Sequence, residues 1–279
     1  MSLTKEILDG LLRTVGLASE SRYDLLRSGS NFIYLLPRLD LVARVSQKPF
    51  KEVQANLNIV AELSNRAPVL KPAEMRVAEY SGWTATFWPR GADISNRVEE
   101  FGDALEALHQ CPVPGAIERI DPLSPVAGRL RKAALAGVPE RFVEIIATRA
   151  EELQTSCREM VMDGSVLLHG DAHLGNAVEF DGQVVLIDLD DLCYGPWQYD
   201  YVPSLTASVR MGNKELYRRI IGGRWYELME WEWVETAVRV RETTMLAWLA
   251  SVWGEGEEQQ RELVRRIDGT DQDTQWKAI

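Results

Sequence analysis

The stretch Val166 to Asp191 reads VLLHGDAHLGNAVEFDGQVVLIDLDD, and its reading decides the fold. The apolar run Val166 to Leu168 delivers the chain to His169-Gly170-Asp171, and Asn176 follows five positions after Asp171. Ala177 to Phe180, Asp181-Gly182 and Gln183 to Ile187 then read as strand, two-residue turn and strand. Asp-Gly between apolar runs is a strong hairpin signal, because both turn residues must take positive φ. The second strand ends at Asp188, with Asp190 and Asp191 just beyond it. The pattern predicts that Asp171, Asn176 and Asp188 converge at one end of a small hairpin. Core packing gives no reason to gather two carboxylates and an amide there, so the reason is chemical.

Such a set has a use in phosphoryl transfer from ATP. One carboxylate positions the acceptor hydroxyl and takes its proton, while an amide oxygen and a second carboxylate hold Mg²⁺ on the phosphates. Protein kinases write this as H-R-D-x-x-x-x-N followed by D-F-G. The frame His169-Gly170-Asp171, Asn176, Ile187-Asp188 resembles the catalytic region of the aminoglycoside phosphotransferase family, whose loop reads H-G-D-x-x-x-x-N and whose metal strand reads I-D. Leu189 and Asp190 stand where a protein kinase has Phe and Gly, so the resemblance does not extend to a protein-kinase activation switch. It implies an α+β, bilobal, protein-kinase-like fold. A small N-terminal antiparallel-sheet lobe would span residues 1–90, with a hinge at about 86–91, and a larger, mostly helical lobe residues 91–279. It also implies ATP and Mg²⁺ as cofactors, Asp171 as catalytic carboxylate, and Asn176 and Asp188 as metal ligands. A metal hydrolase with His169, Asp171 and His173 as alternating ligands is the rival reading. It leaves Asn176 and the hairpin without a purpose.

Composition bounds the partners. The 279 residues, 46% of them hydrophobic, suffice for one large domain or two lobes with their own cores. No apolar run approaches the ~20 residues of a membrane span. Lys5, Glu6 and Asp9 interrupt the first residues, unlike a signal peptide. Cys111, Cys157 and Cys193 are odd in number and widely spaced, which suits packing residues in a reducing cytoplasm. A net charge of −11 argues against nucleic acid. Residues 1–90 carry +3 and residues 91–279 carry −14. Either the front faces phosphates and the rear a cationic acceptor, or the rear is a solubilising surface.

Along the front part, Ile7, Leu8, Leu11, Leu12 and Val15 predict an amphipathic helix. Strands follow around Ser28-Gly29-Ser30-Asn31, a small-residue loop whose backbone can approach phosphate closely. In the resemblance, Ser30 and Asn31 cover the phosphates, and Arg44 takes the place of the phosphate-gripping Lys, with Lys48 and Lys51 nearby. Pro49 opens a helix with Phe50, Val53, Leu57 and Val60 as its stripe, and Glu52 is the candidate partner for Arg44. Arg76 to Tyr80 and Trp83 to Trp88 read as a hairpin around Ser81-Gly82. Phe87 and Trp88 fall at the family's adenine-binding hinge, or are ordinary sheet packing.

Beyond the hinge, Val98, Phe101, Leu105 and Leu108 predict a helix ending at His109, which receives no chemical role. Pro112, Pro114, Pro122 and Pro125 mark an irregular connector, and Pro139 opens a long helix to about Met162. Gly195-Pro196-Trp197-Gln198-Tyr199-Asp200 resembles the family segment whose Asp braces the catalytic loop, so Asp200 and His169 are read as structural support. Val234, Val238, Met245, Trp248 and Val252 are expected to form one buried face. Trp225, Trp231, Trp233 and Trp253, with Glu255, Glu257 and Glu258, are candidate contacts for an amine. Residues 268–279 read as a frayed tail. The implied activity is ATP-dependent phosphorylation of a hydroxyl on a small cationic molecule, aminoglycoside-like first, with neither nucleic acid nor membrane as partner. Choline, homoserine, another antibiotic or a protein serine are alternative acceptors. A non-catalytic nucleotide-binding regulator is the alternative of another class.

Overall fold

Thr4 caps the first helix by accepting the N–H of Ile7, and the predicted apolar stripe becomes α1 (Lys5–Thr14). In chain order there follow β1 (Asp24–Ser28), β2 (Phe32–Leu36), β3 (Leu41–Ser46), α2 (Phe50–Leu63), β4 (Ala78–Tyr80) and β5 (Trp83–Pro89). Next come α3 (Val98–His109), α4 (Ser124–Leu135), α5 (Glu140–Val161), β6 (Val166–Leu168), β7 (Ala177–Phe180), β8 (Gln183–Leu186) and β9 (Cys193–Gly195). The chain ends with α6 (Val202–Arg210), α7 (Lys214–Ile221), α8 (Trp225–Glu230), α9 (Val234–Ser251) and α10 (Glu257–Asp268). This computed structural model describes residues 3–18, 20, 22–29, 31–269 and 275–277. None of its helices is long and apolar enough to cross a membrane.

Two compact units result. Residues 1–97 and 174–190 form the first, and residues 98–173 and 191–279 the second. The first holds an antiparallel sheet of order β1-β2-β3-β5-β4, with α1 packed on it through Leu8, Leu11, Val45, Ala85 and Phe87. The β7–β8 hairpin belongs to this unit although it follows the helices in sequence. Leu186 exchanges backbone hydrogen bonds with Pro68 and Leu70, and Glu179 with Ala92. Those ladder bonds, unavailable to any local pattern, fix where the hairpin lies.

The second unit is mostly helical around α4, α5, α9 and α10, with Phe142, Ile146, Leu246, Leu249 and Leu263 in its core. Two expectations change here. The Pro-rich connector contains a full helix, α4, with Pro125 in its first turn, where a missing N–H costs nothing. On α9 the buried positions include Ala237, Val240, Leu246, Ala247 and Leu249; of the expected face Val252, just past the helix, is buried, whereas Trp248 is exposed. A helix packed against α4, α5, α6 and α10 has no single apolar stripe to read. Of the expected frayed tail, residues 270–274 and 278–279 lie outside the described residues, while Trp276 is buried, stacked near the guanidinium groups of Arg210 and Arg266.

Candidate functional site

In the first unit the Asp181-Gly182 turn has φ of 49° and 76°, the left-handed pair that its sequence demands. The open end of that hairpin sets Asn176 and Asp188 side by side, because the Ile187 N–H donates to the Asn176 carbonyl at 3.0 Å. Asn176 is buried, while Asp188 is exposed and held at φ 59°. Positive φ in a non-glycine residue costs about 1–2 kcal/mol and tends to mark functional positions. An amide oxygen and a carboxylate are the hard oxygen donors that Mg²⁺ takes.

Arg44 projects from β3 onto the acidic residues after β8. Its two terminal nitrogens make a bidentate fork with Asp190, at 2.8 and 2.7 Å, and Nη2 also reaches Asp188 at 3.0 Å. Lys48 adds a third bond to Asp190 at 2.7 Å. Burial would raise the Asp190 pKa, but Arg44 and Lys48 outweigh it and hold the carboxyl below its ordinary value. With its amide oxygen turned toward the guanidinium, Asn31 accepts from Arg44 Nη2 at 2.7 Å. Glu52 does not meet Arg44; it lies 3.8 Å from Lys48 instead. A cleft of about 100 Å³ is lined by Asn31, Arg44, Lys48, Glu52, Trp88 and Asp190. Phe87 is buried in β5 opposite Ala43, its carbonyl taken by Ala73, while the Trp88 indole N–H donates to Thr86. Ser30, expected over the phosphates, lies outside the described residues.

In the second unit Asp171 follows β6 on a loop braced from beneath. The buried Asp200 accepts the backbone N–H groups of His169 at 2.9 Å and Gly170 at 3.0 Å. It is also 2.9 Å from His109 Nε2, a partnership that sequence reasoning missed. His169 is fully buried, with Nδ1 facing the Asp171 N–H at 3.4 Å. Gly170 has φ 85°, and a Cβ there would fall 2.1 Å from the Asp191 carbonyl oxygen, so glycine is required. Asp171 itself pairs with Arg241 of α9 at 2.9 Å, and His173 stands 3.7 Å away. Burial pushes its pKa up, but Arg241 and His173 reverse the direction, so the carboxyl stays below its ordinary value of 3.8.

The model of a known family, the phosphotransferase enzyme family, matches residues 26–237. The chain belongs to that family. This phosphotransferase matches no curated protein in sequence. Among solved structures it is similar to aminoglycoside phosphotransferase APH(4)-Ia, with TM-score 0.67 and 14% identity over 95% of this chain and 98% of that one. The amicoumacin kinase hAmiN, solved with AMP-PNP, Ca²⁺ and Ami, gives 0.65 and 13% over 91% and 90%. The GDP and kanamycin complex of APH(2")-IIIa gives 0.64 and 15% over 97% and 98%. At such identities these likenesses concern the fold, which is the α+β, kinase-like one expected.

The phosphotransferase is thus an enzyme, by the family it belongs to. Its charged residues hold two surprises. Asp190, read only as a departure from a protein-kinase motif, is the carboxylate that occupies Arg44 and Lys48. Arg129 and Arg241, close to the charge of Asp171, were not read at all. Val126, Leu130 and Ala133 after Pro125 do carry helical spacing, a signal that could have exposed α4 and with it Arg129. Of the tryptophans, Trp231 is buried with its N–H on Asp163, and Trp253 packs edge-on to Phe142.

Proposed function

We propose that this phosphotransferase is an ATP-dependent kinase that moves the γ-phosphate to a hydroxyl of a small molecule bearing amino groups, aminoglycosides being the first class to test. The observation that carries the reading is the cluster of Arg44, Lys48 and Asn31 beside Asp188 and Asp190, which combines phosphate donors with a metal-binding carboxylate. In this reading Asn176 and Asp188 hold Mg²⁺, which neutralises charge on the transferring phosphate. Arg44 grips phosphate oxygens with the fork that Asp190 holds in the free protein, and Ser30 and Asn31 cover them. Glu52 steadies Lys48. The backbone at Phe87 and Trp88, within a hinge at about residues 86–91, meets the adenine.

Asp171 orients the acceptor hydroxyl and receives its proton, and His169 and Asp200 hold the loop. Residues 1–90 serve as the nucleotide lobe and residues 91–279 as the catalytic and acceptor-binding lobe. The cationic preference rests on the −14 balance of the rear part and on the relatives solved with kanamycin, gentamicin and streptomycin. Three buried, widely spaced cysteines suit a reducing cytoplasm as its place of action. ATP consumption against a panel of aminoglycosides, other hydroxylated antibiotics, choline and homoserine tests the reading. Acceptor-dependent turnover that vanishes in Asp188→Ala is the expected result; no turnover together with Mg²⁺-independent nucleotide binding refutes it.

A further inference from the structure

The charge around Asp171 is not what a purely cationic acceptor needs. Arg241 on α9 places Nη1 2.9 Å from Asp171 Oδ1. Its Nε is buried and makes no hydrogen bond among the described residues. A buried donor left in that state is costly, and native proteins keep few of them. One turn along the same helix, the Thr244 carbonyl accepts from Arg129 Nη1 of α4 at 3.1 Å. Arg129 is half-buried and enters no ion pair among the described residues, so most of its five donors are uncommitted to protein. Burial and then Arg241 hold its pKa below the usual guanidinium value, while Asp191 and Asp171 act in the opposite sense. Two guanidinium groups thus share one region with Asp171, Asp191 and His173, and Asp171 must stay available to the acceptor hydroxyl.

We infer that Arg129 and Arg241 form, beside Asp171, a subsite for an anionic group of the acceptor, a carboxylate or phosphate ester next to the hydroxyl that is phosphorylated. The inference rests on the kinase reading and narrows its acceptor to a hydroxylated molecule with an acidic group, zwitterionic where it also bears an amine. An acid group bridging the two forks relieves their mutual repulsion and satisfies Arg241 Nε. It also leaves Asp171 to the hydroxyl. Guanidinium groups recognise carboxylate and phosphate by the same paired N–H geometry.

The test compares acceptors that differ only in the acid group: homoserine against 3-amino-1-propanol, and glucose 6-phosphate against glucose. Binding is measured by calorimetry with AMP-PNP and Mg²⁺ already bound, and turnover by ATP consumption. The anionic member of one pair is expected to bind more tightly by roughly tenfold to a hundredfold, and which pair responds tells carboxylate from phosphate. Arg129→Met and the milder Arg129→Lys should remove or reduce that preference while leaving AMP-PNP affinity unchanged, with thermal unfolding as the check on folding. Equal binding within both pairs, binding by no member, or a preference that survives in Arg129→Met overturns the subsite. Phosphorylation of kanamycin or choline with no response to the acid group overturns the subsite but upholds the kinase. Loss of Mg²⁺-dependent AMP-PNP binding in the wild type overturns the kinase reading itself.

Discussion

Asp171 carries opposite pressures: burial favours its neutral form, and Arg241 and His173 favour its charge. The second pressure wins, so this carboxylate is ionised throughout the neutral range, and in the proposed reaction it would orient a hydroxyl more than act as a strong base. Asp171→Ala should therefore lower turnover by ~10²–10⁴ and leave ATP affinity nearly unchanged; a comparable loss of ATP binding would contradict its role. Replacing Arg241 by Met removes the largest opposing charge. The acidic limb of the kcat/KM profile should then move to higher pH, toward or above 3.8, the ordinary value. In the first unit, Arg44→Ala is expected to raise the KM for ATP by roughly tenfold to a hundredfold, the scale of a charge-assisted hydrogen-bond set. Steady-state kinetics at varied ATP checks it, and an unchanged KM would assign phosphate binding to Lys48 instead.

Elements explain why these residues are held where they are. The β7–β8 hairpin turns on Asp181-Gly182, and Gly182 at φ 76° is in open space, so only conformation resists a side chain there. Gly182→Val should cost about 1–2 kcal/mol by strain alone, visible as a lower denaturant midpoint. A midpoint equal to the wild type would mean the hairpin is not part of the cooperative unit. Gly170 is stricter, because its φ of 85° is joined by the close approach of the Asp191 carbonyl. Gly182 was legible as a turn residue, since its requirement is local; Gly170 was read only as part of the H-G-D frame, because the Asp191 carbonyl that makes it strict is distant in sequence. The α9 face was not legible. Its burial is decided by the helices that surround it, and Trp248 points outward although the period places it with the core.

Over the whole molecule, one buried polar network joins α10 to Lys277. Glu262 and Arg266 are each 2% exposed and lie 2.7 Å apart, and Lys277 closes the same network through its N–H and carbonyl. Glu262→Ala should cost about 3–5 kcal/mol, because it leaves a buried guanidinium without its carboxylate. Chemical denaturation measures this, and a cost near zero would show that Arg266 finds another partner. For Asp171, Asp190 and Glu262, burial raises the pKa but cationic neighbours lower it below ordinary values of 3.8, 3.8 and 4.5. A depressed folded pKa adds stability above the unfolded pKa and loses it as pH falls through the folded one. Stability should thus hold down to about pH 4.5 and fall progressively below it, as unfolding free energy against pH will show.

The sequence by itself determined what is local: the H-G-D-x-x-x-x-N frame, the left-handed Asp-Gly turn, the capped first helix and the long helix behind Pro139. Each depends on residues a few positions apart, whose backbone preferences act wherever the chain lies. Only the tertiary structure decided that Arg44 joins Asp190 and Asp188 instead of Glu52, that Arg241 faces Asp171, and that Trp276 is buried. Those pairings bring together residues up to 146 positions apart. A charged side chain takes the partner that packing delivers, and no periodicity along the chain encodes that choice.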